Sequence, residues 1–175
     1  MQRLPVTFWF VVSVIAFFAS AGIHFATYYE VSLTDRWPVL WGVYAGAALF
    51  YVAVRSGARE RTKNFGKWRF FAAFGPRVRL LVGVVSILLF IYASVVIRSD
   101  HWNGYIIRRF DDNRPMLVRR GQETREATEG EVSHHKALDA RGYSAYLLAF
   151  STTSALELLS LVLLERRYRA TESST

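Results

Sequence analysis

Residues 80–97 read LLVGVVSILLFIYASVVI, a run without a single charge, closed by Arg79 on one side and Arg98 on the other. A bilayer core of about 30 Å is crossed by roughly 17–25 mostly apolar residues in helical form. Lipid offers no partner to exposed peptide groups, so such a run must satisfy its own backbone as a helix. Three more stretches meet the same requirement. Residues 5–28 (PVTFWFVVSVIAFFASAGIHFATY) contain His24 as their one ionisable group, and residues 38–54 (PVLWGVYAGAALFYVAV) contain none. Residues 143–164 (YSAYLLAFSTTSALELLSLVLL) carry Glu157 and run into Glu165-Arg166-Arg167. These runs are too long and too continuous for the alternating strands of a barrel. The expected fold is all-α: one domain, 1–175, forming an integral membrane bundle of four transmembrane helices.

Composition agrees with this reading. The 175 residues are 52% hydrophobic yet carry a net charge of +8. The two properties coexist because the apolar residues come in blocks from which charges are nearly absent. A disordered or collagen-like chain is excluded, as is a disulfide framework in a chain with no cysteine. The start of the chain has a second reading, since Arg3, an apolar run and Ala19-Ser20-Ala21 resemble a cleavable secretory signal over residues 1–21. The apolar run continues through Gly22 to Tyr28, which favours a retained span.

Lys and Arg in short connections set orientation. The loop 55–79 holds eight basic residues against Glu60 alone, and Arg166, Arg167 and Arg169 follow the fourth span. The first connection has only Arg36, offset by Glu30 and Asp35. N-in, C-in follows, with 55–79 as a basic cytoplasmic loop and 98–142, about 44 residues, as the outer loop between helices 3 and 4. The positive excess then reads as an anchor, and nucleic acid is not an expected partner: the basic cluster lies between two spans and no recognition motif accompanies it. Within that loop Phe65, Trp68, Phe70, Phe71 and Phe74 are interleaved with Lys63, Lys67, Arg69 and Arg77, a pattern suited to a segment lying in the headgroup region.

Ionisable groups inside a span are functional candidates because charge at depth is expensive. Glu157 falls near the middle of the fourth span, with Thr153 and Ser154 one turn earlier on roughly the same face. The group reads as a hydrogen-bonding glue between helices, as part of a proton or solute path, or as a partner contact. His24 lies some 13 Å toward the outer face of the first span by the ~1.5 Å rise per residue. It reads as an interfacial histidine beside Tyr28 and Tyr29. Gly42 and Gly46 form a small-xxx-small face on the second span, and Ala16 and Ser20 a comparable one on the first. These faces allow close packing within the bundle, with a membrane-protein partner, or between copies in a homo-oligomer.

In the outer loop, Thr128 and Glu131 fit a capping box that opens a short helix toward Arg141. Glu131, His135 and Asp139 share one face of it. They are a weak candidate set for Zn²⁺, since no compact zinc motif is present, and a solvated face is the plainer reading. Residues 121–130 (GQETREATEG) read as a polar, mobile segment. There is no Gly-rich phosphate loop, nucleophile elbow or cysteine nucleophile. Asp111-Asp112 beside Arg108, Arg109 and Arg114 read as a solvated cluster. No cofactor is expected and no catalytic residue is assigned.

Two stretches, Gly22-Ile23-His24-Phe25-Ala26 and Trp41-Gly42-Val43-Tyr44-Ala45-Gly46, together with Tyr143-Ser144-Ala145-Tyr146, resemble small uncharacterised bacterial four-span membrane proteins. Tyr44 stands where that pattern has a second histidine. The resemblance implies a bacterial inner-membrane location and no activity. The expected role is a non-enzymatic accessory or scaffold component. The alternatives are a small proton-linked transporter using Glu157 and an outer-face metal or ligand sensor.

Overall fold

The computed structural model describes residues 5–29, 36–64, 70–102, 105–109, 115–119 and 122–172. Among these, four helices dominate: α1 (Val6–Ala26), α2 (Arg36–Asn64), α3 (Pro76–Trp102) and α4 (Glu129–Glu172). A 3-10 turn, Thr27–Tyr29, extends α1. Three short strands, β1 (Tyr105–Arg109), β2 (Pro115–Arg119) and β3 (Gln122–Glu126), lie between α3 and α4.

The helix starts follow local chemistry. Proline needs no backbone donor, so Pro5 and Pro76 stand where the first N–H groups of a helix would lack partners. In α3 the ladder begins with the Arg79 N–H donating to the Gly75 carbonyl at 2.9 Å. In α4 the predicted capping box is formed: the Glu131 N–H donates to Thr128 Oγ1 and the Thr128 N–H donates to Glu131 Oε2.

Helix α4 is the hub against which the other three helices pack. Ser20 meets Ser151 and His24 meets Ser144, so α1 runs antiparallel to α4. Phe90 meets Phe150 and Ser94 meets Tyr146, so α3 is also antiparallel to it. Gly42 and Gly46 abut Leu147, and Ala53 clusters with Leu158, so α2 is parallel to it. Chain direction thus alternates from helix to helix. Val6, Trp9 and Phe10 close one end of the bundle over Ala53, Leu158 and Leu161.

The partition of residues is inverted relative to a water-soluble bundle. The buried positions of α1 are Ser13, Ser20 and His24, while Phe18 is 68% exposed and Phe8, Val11, Ile15 and Phe25 also face outward. On α3 the buried positions are Ser86 and Ala93, while Leu80 is 71% exposed. Apolar surface this extensive marks a membrane or partner face, and small polar residues inside suit helices whose exterior solvent is lipid. Three helices, with apolar stretches within Val6–Tyr29, Pro76–Arg98 and Glu129–Thr171, are long and apolar enough to cross a membrane. The expected span 38–54 is not among them. The side chains of residues 36–40, where that run begins, lie outside the described residues, and α2 continues past it through the mostly polar residues 55–64.

Several boundaries differ from expectation. The basic loop 55–79 is shorter than its charge pattern implied, because α2 extends to Asn64. The short outer helix and the fourth span are one uninterrupted helix of 44 residues, roughly 66 Å long at ~1.5 Å per residue. Gly142, which reads as a helix stop, lies inside α4 because a Cβ there would come within 2.6 Å of Ile97 Cγ1. The fold is therefore mostly helical rather than wholly so, since the outer connection contains an antiparallel meander, β1-β2-β3. Leu117 pairs with Arg125 and Val118 with Glu123, which leaves a bulge in β3, and both β2 residues are buried. Part of the segment expected to be mobile is thus the strand Gln122–Glu126.

Candidate functional site

Two polar clusters lie along α4, one near the sheet and one near the α2–α3 connection. In the first, His24 Nδ1 lies 2.9 Å from Ser144 Oγ, and Nε2 lies 2.9 Å from the Tyr92 hydroxyl. The Tyr92 hydroxyl in turn lies 2.9 Å from that of Tyr28. Ser144 donates to the Arg141 carbonyl at 3.0 Å, which fixes the direction of the whole chain. Its oxygen then accepts from Nδ1–H, Nε2 accepts from Tyr92, and Tyr92 accepts from Tyr28. A neutral imidazole protonated on Nδ1 satisfies every member. Arg141 closes the cluster: its guanidinium sits 4.1 Å from the Tyr28 ring centroid and donates to the Thr27 carbonyl at 2.9 Å. His24 is therefore buried in the bundle, with Tyr28 and Tyr29 exposed beside it.

The second cluster joins the α2–α3 connection to α4. Glu157 is 1% exposed, and its Oε2 accepts a 2.8 Å hydrogen bond from the Phe71 N–H. One turn on, Ser160 Oγ accepts from the Ala73 N–H at 3.0 Å. Arg79 grips the same turn by donating to the carbonyls of Ala72 and Phe74. Phe71 has φ +54°, a left-handed conformation that costs a non-glycine residue about 1–2 kcal/mol. A typical intramolecular hydrogen bond contributes about 0.5–1.5 kcal/mol, comparable with that cost. Phe71 is 6% exposed, so it lies inside the protein and not among headgroups as its neighbours' charges had implied. Phe70 is partly buried, and Lys67, Trp68 and Arg69 lie outside the described residues.

Between the clusters, hydroxyls mostly find local partners. Ser20 lies 3.3 Å from Ser151, and Ser154 donates to its own-helix carbonyl at Phe150. Thr153, Ser13 and Ser86 each bury a hydroxyl with no hydrogen-bond partner among the described residues. His24 and Glu157 do not meet, since thirteen residues of α4 separate Ser144 from Glu157, about 20 Å of rise. Gly42 and Gly46 receive Leu147 and Phe150, so this face is used within the chain. Ser20 packs on α4, and Ala16 is half-buried.

At the N-terminal end of α4, Glu131 is tied to Arg125 and to the helix cap, which holds its carboxyl down at about 2 against an ordinary 4.5. It is thereby withdrawn from His135 and Asp139. Among the described residues, no three metal-ligating side chains come together.

Tyr92, Ser144, Arg141 and Ser160 are the cluster residues to which sequence reasoning assigned no site role. Each pairs with a residue distant in the chain, and the one available signal was a hydroxyl within an apolar run or a cation beside it. Fold and site together describe a mostly helical chain with a polar interior and an apolar exterior, three of whose helices are long and apolar enough to cross a membrane. No family model, curated protein or solved structure matches the chain.

Proposed function

We propose that the chain is a four-span bacterial inner-membrane protein, termini inside, that serves as a non-enzymatic accessory or scaffold component. The alternating helix directions support four spans, with 38–54 as the short second one, and the basic residues of 55–79 support the orientation. The observation that carries the accessory reading is the Glu157–Phe71 hydrogen bond. This buried acid, 1% exposed, fastens one segment of the chain to another. The broad apolar faces of α1 and α3 remain for lipid or a membrane partner. Purification from native membranes in mild detergent, followed by cross-linking, is expected to return a stoichiometric partner or a discrete oligomer. A lone monomer under every condition overturns the reading.

A second reading, a small proton-linked transporter, draws on the buried hydroxyls of Ser13, Ser86 and Thr153 on three different helices. It requires proton or ion flux in proteoliposomes that Glu157→Gln abolishes. Absence of flux in the wild type ends it.

A further inference from the structure

The outward face of α3 is furrowed. Ile87, Phe90, Ile91, Ser94, Val95 and Arg98 line an open groove of about 420 Å³. All six lie on one stripe of the helix, at spacings of three and four residues. From Ile87 to Arg98 that stripe rises about 17 Å, close to the depth of one leaflet of a ~30 Å bilayer core.

The ends of the groove differ in chemistry. Its floor is formed by Phe90, pinned against Phe50 and Phe150, and by Ser94, bonded to Tyr146 and to its own helix. Ile87, Ile91 and Val95 stand exposed along it. At the end nearer the sheet stands Arg98, exposed and without a hydrogen bond or ion pair to the described residues. It also marks the limit of the apolar run, where a lipid phosphate would lie. An apolar furrow about one leaflet deep, ending at headgroup level in a cation that no described residue pairs, complements an acyl chain carrying an anionic head.

We propose that this groove is a binding site for one anionic phospholipid, its acyl chain along Ile87–Val95 and its phosphate on the Arg98 guanidinium. The site rests on the membrane reading but on no protein partner, so it stands or falls separately from the accessory role.

The test is native mass spectrometry of the full chain taken from bilayers of equal phosphatidylglycerol and phosphatidylcholine. The wild type is expected to retain one phosphatidylglycerol per chain in preference to phosphatidylcholine. Arg98→Gln should lower that retention about tenfold with helical content unchanged. Val95→Trp, which fills the groove from the lipid side, should lower retention of both lipids. Equal retention of the two lipids by the wild type overturns the proposal, as does an Arg98→Gln protein that keeps its phosphatidylglycerol.

Discussion

The Phe71 amide and the Glu157 carboxylate, 86 residues apart in sequence, are joined by a 2.8 Å hydrogen bond inside the bundle. The acid is held by backbone, so its removal acts on the segment 70–74 before it acts on any other helix. Glu157→Ala leaves a buried N–H without its acceptor, a loss of about 1–3 kcal/mol. Glu157→Gln keeps a carbonyl oxygen in reach and should lose less. Thermal unfolding in detergent orders the three proteins, and amide exchange at Phe71 and Ala73 should accelerate in the alanine variant. Unchanged exchange at both positions would show that the turn holds itself.

Tyr92 bridges His24 and Tyr28, so Tyr92→Phe removes two interactions at once. Hydrogen bonds between membrane helices average about 0.6 kcal/mol, with a maximum near 1.7. The expected destabilisation is about 1 kcal/mol. A double-mutant cycle with Tyr28→Phe should show the two changes to be less than additive, because they share one bond. Full additivity would dissolve the chain of hydroxyls inferred around His24.

Gly142 has no room for a methyl group, because Ile97 Cγ1 occupies the position 2.6 Å away. Alanine would ordinarily favour a helix over glycine by about 1 kcal/mol, but forced overpacking costs about 1–3 kcal/mol, so the clash wins. Gly142→Ala should destabilise, and Ile97→Ala added to it should recover much of the loss. Gly130→Ala, with nothing within 4 Å of the new methyl, is expected to be neutral or stabilising.

The spans were legible because an apolar run of bilayer length has few other uses. The sheet was not. Gln122–Glu126 has no apolar residue to alternate, and its strand exists through pairing with Met116–Arg119. The unbroken course of α4 through Gly142 was equally hidden, since Arg141-Gly142 has the composition of a helix end, and only Ile97 explains the glycine. Glu157 was identifiable as a buried acid, but its partner is a backbone N–H, which has no sequence signature. His24 was identified beside Tyr28 and Tyr29, but nothing in its neighbourhood announces Ser144 or Tyr92 as its partners.

Glu131 gives the N-terminal end of α4 a dependence on acid. Its carboxyl titrates at about 2 when paired with Arg125 and capping Thr128, against 4.5 ordinarily. The folded value lies below the unfolded one, so the contribution is complete above pH 4.5 and is lost as pH falls toward 2. Amide exchange at the first turn of α4 should rise through that window in the wild type. Glu131→Gln should flatten the profile and show the faster exchange throughout.

The position of α4 also bears on how the protein is made. The helix that the other three pack against is synthesised after them, so Ser20 and His24 are made before their partners Ser151 and Ser144 exist. The bundle therefore cannot be completed one helix at a time. A ribosome stalled short of Glu129 would leave three helices without their common centre.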